Sequence, residues 1–273
     1  MNKLPILLTA SVSTRGMVGA DFSDDLREKM YLESLEFYCN RILAEDKERR
    51  LVFAENSGWD LVKFKGKIQS QSISQIEFIS VDLQFFDISK GKGYNEIILI
   101  NKAIEQSESI REAHAFIKVT GRYPVYNLDR YLSRAEDFIF KKGGKFYGDI
   151  KDHKVYDFLF PDNTAKWNGH AAYTVLFATT VDFYEKNLGQ TYADCNDYAG
   201  RWIECVWYDV LKRYRGVKNS GVSLRFKLEP ICGGLQGSSA QTIAFSKDNQ
   251  SFKSMIMRFV GNTIRMFMPW FWF

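Results

Sequence analysis

The sequence is poor in metal-binding side chains. Its 273 residues include only four cysteines and three histidines. No two cysteines form a CxxC pair, so a structural zinc site is not expected. The pattern Asp-x-Asp occurs nowhere. No uninterrupted apolar run approaches the ~20 residues of a membrane-spanning helix, which excludes a polytopic membrane protein. Neither an internal repeat nor a low-complexity linker divides the chain. A large excess of one sign of charge is also lacking: 37 Lys and Arg against 33 Asp and Glu give a net charge of +4, and the pI is 8.7. So small and evenly spread an excess does not indicate nucleic-acid binding, and no nucleic acid is expected as a partner. It suits an anionic small ligand or an acidic membrane surface. Cys39, Cys195, Cys205 and Cys232 are scattered, as reduced thiols of a cytosolic protein would be. Aromatic side chains, by contrast, are plentiful at 15%. They can fill a core, stack on sugars or sit at a membrane interface.

The first half alternates strands and helices. Leu4–Ala10 reads as a buried first strand, not a leader peptide, because Pro5 breaks a short apolar run. Ser23 precedes Asp24 and Asp25 as a helix N-cap, and the spacing of Leu26, Met30, Leu35, Tyr38 and Ile42 predicts a helix over 23–44. Strands are expected at 51–54, 76–81 and 115–119, with a helix over 94–107. This order predicts an α/β fold with a mostly parallel central sheet flanked by helices. In such sheets, ligands bind beyond the carboxyl ends of the strands. The second half is more mixed. Strands are expected at 138–140 and 173–179, and helices at 182–188 and 198–214. Residues 1–250 are expected to form a single domain, followed by a tail at 251–273.

The strand-end loops carry the chemistry. Gly91-Lys-Gly-Tyr-Asn-Glu96 departs from a GxGxxG dinucleotide fingerprint at Glu96. Free N–H groups there, with Lys92, could meet a phosphate, although a plain helix-start turn reads equally well. Lys118-Val-Thr-Gly-Arg-Tyr123 places Lys118, Thr120 and Arg122 at a strand end. Gly121 there lets the backbone approach a ligand. Arg offers bidentate contacts to phosphate or carboxylate, and Lys offers a point charge. This run resembles a strand-end motif of small bacterial glycosyltransferases that build capsule, lipopolysaccharide or O-antigen. The runs Pro5–Ala10, Phe53–Ser57, Gly91–Glu96 (as GKGxxE), Phe177–Phe183 and Asn196–Glu204 resemble further segments of those enzymes in order.

The resemblance implies a GT-A-like nucleotide-sugar-binding fold. Its donor-binding half would be about 1–125 and its acceptor-side half about 126–250. The implied donor site comprises Thr9, Ala10, Ser11, Glu55, Asn56, Ser57, Lys92, Gly93, Glu96, Lys118, Thr120, Gly121, Arg122 and Tyr123. The implied reaction moves a hexose-type sugar from a nucleotide-sugar donor to a lipid-linked or oligosaccharide acceptor. Inverting and retaining outcomes both stay open. A non-catalytic nucleotide- or carbohydrate-binding protein at the membrane is the alternative.

An inverting reaction needs a base for the acceptor hydroxyl. Glu204 leads, with Asp197 seven residues earlier on the same face of the expected helix and His170 as a third candidate. An ion-paired helix residue is the plainer reading of Glu204. Metal-dependent members of the resembled family hold a divalent ion with an Asp-x-Asp. Here that region reads Asn168-Gly-His-Ala-Ala-Tyr-Thr174. No metal ligand is therefore expected and a metal-independent reaction is favoured, with Mg or Mn left open. Lys118, Arg122 and His170 would then neutralise the leaving phosphate. A second Gly-rich loop, Glu229–Ser239, could close over a ligand or simply connect.

The tail contains Lys253, Arg258 and Arg265 and no acid. Phe252, Met255, Ile256, Phe259, Val260 and Phe267 can share one helical face before Pro269 and a Trp-Phe-Trp-Phe end. A basic amphipathic helix of this kind is expected on the inner face of the cytoplasmic membrane, with the protein cytoplasmic and peripheral. Docking against the core or a dimer partner is the alternative.

Overall fold

A computed structural model describes residues 3–17, 22–152, 169–234 and 252–267. Its strands are β1 (Ile6–Ala10), β2 (Leu51–Glu55), β3 (Ile76–Ser80), β4 (Ala115–Thr120), β5 (Phe146–Tyr147), β6 (Ile150–Asp152), β7 (His170–Ala172), β8 (Leu176–Thr180) and β9 (Val222–Ser223). Seven of them form one sheet in the order β3-β2-β1-β4-β8-β5-β9, and β6 pairs with β7. β3, β2, β1 and β4 run parallel, as do β5 and β9, while β8 is antiparallel to β4 and to β5. The mostly parallel α/β sheet expected from the sequence is present.

Every residue of β1 and β2 is buried. Both faces of the sheet are covered, which is why these strands read as near-continuous apolar runs. Strand alternation divides them between two cores. Ile6, Leu8, Leu51 and Phe53 join one cluster, with Tyr31, Leu35 and Tyr131. Leu7, Val52 and Ala54 join the other, with Ile97, Ile100, Phe177 and Trp207.

Helices α1 (Asp24–Tyr38) and α5 (Leu128–Glu136) contribute to the first cluster. The second takes α3 (Lys92–Gln106), α6 (Val181–Asn187) and α7 (Ile203–Leu211). Shorter α2 (Leu61–Gly66) and α4 (Glu108–Ala113) lead into β3 and β4. The Ser23 hydroxyl accepts from the Leu26 N–H at 3.3 Å, with Asp24 and Asp25 in the first turn, so α1 starts where its cap places it. A π-helical turn, Cys39–Leu43, completes the length expected for it.

Two expectations fail here. The strand expected at 138–140 is instead a π-helical turn, Asp137–Lys141, closing α5. Its Lys142 N–H bonds the Asp137 carbonyl at 3.2 Å. Leu128, Tyr131, Leu132 and Ala135 form the buried stripe of a helix, and Phe-Ile-Phe extends it. The helix expected from 198 starts only at Ile203. Before it, Asp197–Ala199 form a 3-10 turn that Gly200 ends at φ +69°. The Asn196 side chain accepts from the Tyr198 and Ala199 N–H groups at 3.1 and 3.2 Å and fixes that turn. Asp197 and Glu204 therefore do not share a helix face.

The last described helix, α8 (Phe252–Phe267), is attached by its polar side. Gly261 is buried, and Asn262 Oδ1 accepts from the Glu229 N–H at 2.9 Å. Arg265 reaches Asp149 at 2.5 Å and Glu229 at 3.4 Å. Its other side leaves Met255, Ile256, Phe259, Val260, Met266 and Phe267 exposed. The expected tail helix is present, docked and with its apolar side outward. The terminal Trp-Phe-Trp-Phe lies outside the described residues.

Candidate active site

Thr9 and Ala10 at the carboxyl end of β1 meet Thr120 at that of β4. Thr174 and Val175, leading into β8, lie beside them, and the Thr120 N–H bonds the Val175 carbonyl at 2.9 Å. A cavity of about 470 Å³ opens above this junction. Ser11, Thr14 and Met17 of the loop after β1 line it, with Arg27 and Tyr31 of α1. The start of α3 supplies Gly91 to Gly93, Asn95 and Glu96, and the loop after β4 supplies Arg122 and Tyr123. Asp197, Tyr198, Trp202, Ile203 and Glu204 close the remaining side. Most strand-end residues expected at a donor site thus share one cavity, with both leading carboxylates.

Glu55, Asn56 and Ser57 do not line it; they support its loops from behind. The buried Glu55 carboxylate accepts from the N–H groups of Val12, Ser57 and Trp59 at 3.1, 2.8 and 3.1 Å, and from the Ser57 hydroxyl. Asn56 accepts from the Ser11 hydroxyl at 2.6 Å and donates to the Asn95 carbonyl at 3.1 Å. Ser57 Oγ accepts from the Ser13 N–H at 2.9 Å.

Lys118 is wholly buried beneath the floor. Its ammonium pairs with Glu96 and donates to Thr120 Oγ1 at 2.9 Å and the Thr174 carbonyl at 2.7 Å. Glu96 also accepts from the Thr9 hydroxyl at 3.2 Å. This network ties β1, α3, β4 and the lead into β8 together. Burial lowers the Lys118 pKa, and Glu96 opposes that shift. Lys118 is thus engaged by the protein itself.

Gly121 sits where the β4 loop crosses β1. A Cβ there would lie 2.7 Å from the Thr9 carbonyl oxygen, so no side chain fits. The close approach turns Arg122 into the cavity, with its guanidinium 5.2 Å from the centre of the Tyr123 ring and 3.3 Å from that hydroxyl. Its buried Nε has no hydrogen-bond partner among the described residues.

Asp197 caps α3 from across the cavity. One carboxylate oxygen accepts from the Lys92 N–H at 2.7 Å and the Gly93 N–H at 3.4 Å. The other is buried without a hydrogen-bond partner among the described residues. Gly91 adopts φ +88° and would place a Cβ 2.5 Å from that of Asp197. Burial raises the Asp197 pKa against the bonds from the α3 amides. The α3 N-terminus, open to a phosphate on sequence grounds, holds this carboxylate instead.

Glu204 opens α7 beside Thr174, whose hydroxyl donates to it at 3.4 Å. Burial pushes its carboxyl up to about 7, the charges of Glu96 and Asp197 add to the shift, and Lys118 opposes it. It is a carboxyl group near neutrality on the wall of a cavity.

His170 is not among the cavity's lining residues. Its Nδ1 lies 3.0 Å from Asp152, which also accepts from the Tyr208 hydroxyl at 2.9 Å and pairs with Arg215. Asn168 of the same segment, and residues 235–239 of the second Gly-rich loop, lie outside the described residues. Trp207, near the acceptor-side segments in sequence, is a core residue that donates to Thr191 Oγ1 at 3.1 Å.

No group of three or more His, Cys, Asp or Glu side chains suited to a metal occurs among the described residues. Among the described residues, the cavity's Glu96 is paired with Lys118 and Asp197 caps α3, so neither carboxylate is placed as a ready ligand for a divalent ion. Sequence reading missed Arg27. Its signal was position: it falls on the buried stripe of α1 with Met30, Tyr31, Ser34, Leu35 and Tyr38.

No protein-family model matches the chain, and no curated protein matches it. Among solved structures it is similar to the galactosyltransferase LgtC in complex with donor and acceptor sugar analogues. That pair shares 11% identity over 82% of this chain and 74% of the other, at a TM-score of 0.46. Mouse xyloside xylosyltransferase 1 is similar at 8% identity, covering 82% and 86%, with a TM-score of 0.45. The bifunctional glycosyltransferase WbbM is similar at 11%, covering 97% and 45%, with a TM-score of 0.41. Such low identities fix no residue roles, which rest on this chain's own side chains.

Proposed function

We propose that the chain is a glycosyltransferase that moves a sugar from a nucleotide-sugar donor to a hydroxyl of a glycan acceptor. One observation carries this reading: a single cavity at the carboxyl ends of β1 and β4 holds guanidinium groups and a carboxyl group poised near neutral pH. An anionic donor needs the first, and a hydroxyl nucleophile needs the second. In an inverting transfer the acceptor oxygen attacks the anomeric carbon and its proton passes to Glu204. The bond to the nucleotide phosphate breaks, and the phosphate leaves with the electron pair. Tyr198 and Trp202 supply aromatic faces at the same cavity on which a sugar can stack. The test is turnover. Incubation with the donor and an oligosaccharide acceptor is expected to release the nucleotide and lengthen the acceptor. Donor binding without release would favour a binding protein.

The acceptor proposed is lipid-linked, with the protein peripheral on the inner face of the cytoplasmic membrane and 251–273 as its contact. No helix of the described residues is long and apolar enough to cross a membrane. The support lies in α8, whose polar side meets the protein while six apolar side chains face outward. Such a row matches an interfacial helix. In vesicle flotation, the Phe259→Asp/Phe267→Asp protein is expected to bind anionic vesicles at least about tenfold more weakly, since each exposed Phe can bury on the order of 2 kcal/mol of apolar surface. Flotation equal to wild type would remove the membrane reading.

A further inference from the structure

We infer that Arg27 and Arg122 form a two-guanidinium clamp for a diphosphate, so that the site binds this anion without a divalent cation. The inference deepens the proposed function and rests on it for the identity of the whole donor. Arg27 is buried and lines the same cavity as Arg122. Among the described residues neither arginine lies within 4.0 Å of a carboxylate. Two carboxylates on the cavity wall are already matched within the protein: Glu96 is paired with Lys118 below it, and Asp197 accepts from the α3 amides.

Each guanidinium is also held in place. Arg27 donates from Nε to the Ser11 and Val12 carbonyls at 3.1 and 3.0 Å, and from a terminal nitrogen to Ser11 as well. Its guanidinium lies 5.9 Å from the centre of the Tyr31 ring, as Arg122 stands over Tyr123. The two cations sense one another: burial lowers the Arg27 pKa most, and the Arg122 charge lowers it further. Asp24 and Glu96 act on these arginines only from a distance. Two like charges, taken from water without a carboxylate partner, are costly to fold. An anion bound between them removes that cost. Arginine forks match phosphate oxygens in pairs, and two forks match a diphosphate. The clamp supplies the positive charge that a metal ion would otherwise bring.

The test is calorimetric titration of the full chain with inorganic pyrophosphate and with nucleoside diphosphates, in EDTA and in Mg. Binding in EDTA within about threefold of that in Mg is expected. Arg122→Met and Arg27→Met should each weaken pyrophosphate at least about tenfold, the loss of one charged hydrogen-bonding partner. Arg27 also braces the loop after β1, so Arg27→Lys serves as a second variant. It keeps the charge and should bind between wild type and Arg27→Met, with a single cooperative melting transition to show that it folds. Binding that needs Mg and vanishes in EDTA would overturn the clamp yet leave the transferase reading intact. Wild-type affinity in the folded Arg122→Met protein would overturn the clamp as well. Pyrophosphate bound in EDTA with no sugar nucleotide accepted would keep the clamp and end the transferase reading.

Discussion

Replacing Glu204 with Gln is expected to lower kcat about 10²–10⁴-fold, the usual worth of a positioned general base. Donor affinity should stay within about threefold, because the amide keeps the shape of the carboxyl group. The variant is also expected to be more stable than wild type above neutral pH. The sign follows from burial. The Glu204 carboxyl titrates near 7 in the folded protein against an ordinary value of 4.5. Between those values the folded chain binds more protons than the unfolded one, so wild-type stability falls as pH rises through 7. The loss at pH 8 is at most about 3 kcal/mol, less whatever solvent screens on the cavity side. Glutamine carries no such penalty. Melting temperatures of the two proteins should coincide near pH 4 and separate by pH 8. Activity of the wild type should climb over the upper part of that range, as the carboxylate that accepts the proton forms. A variant with full kcat, or one less stable at pH 8, would remove Glu204 from this role.

The largest loss of stability is expected from Lys118→Met. Lys118 is wholly enclosed and holds Glu96, Thr120 and the Thr174 carbonyl together. Removing the ammonium strands a partly buried carboxylate, and breaking a buried pair in this way costs about 3–5 kcal/mol. Glu96 retains some contact with the cavity, so the lower end applies. Lys118→Met/Glu96→Gln should recover part of the loss, since no unpaired charge is left. Urea unfolding at pH 7 measures both. A single variant within 1 kcal/mol of wild type would contradict the role given to this pair.

The same network shows why the sequence revealed the floor of the site better than its walls. β1, β2 and β4 were legible because strands covered on both faces are short apolar runs ending in polar loops, and the edge strand β3 still showed as a short run before Asp82. α1 was legible from Ser23 and the two aspartates after it. The cavity then followed from the rule that ligands gather at carboxyl strand ends, which placed Thr9, Thr120 and Arg122 together. Roles within a loop were not legible. Glu55 and Lys118 carry the right charges at the right strand ends, yet both are spent on holding loops. Their partners come from distant segments, and spacing along the chain does not show them.

The second half was harder for a local reason. Phe138-Ile-Phe140 has the composition of a strand but follows four residues spaced for a helix, and the helical stripe prevails. Gly200 interrupts a stretch that otherwise reads as one helix from 198. Asp197 and Glu204 still reach one cavity, by a route through a capped turn that their separation of two helical turns did not foretell. Arg27 was hidden by its setting, since a cation on a helix is ordinarily solvated. Only its place on the buried stripe sets it apart.

Titration of the wild-type protein with UDP-, GDP-, dTDP- and CMP-sugars, with and without EDTA, tests the central claim most directly. Binding of at least one of them is predicted, displaced by the bare nucleotide and lost in a folded Arg122→Ala protein. Failure of a folded wild-type chain to bind any of the four would contradict it.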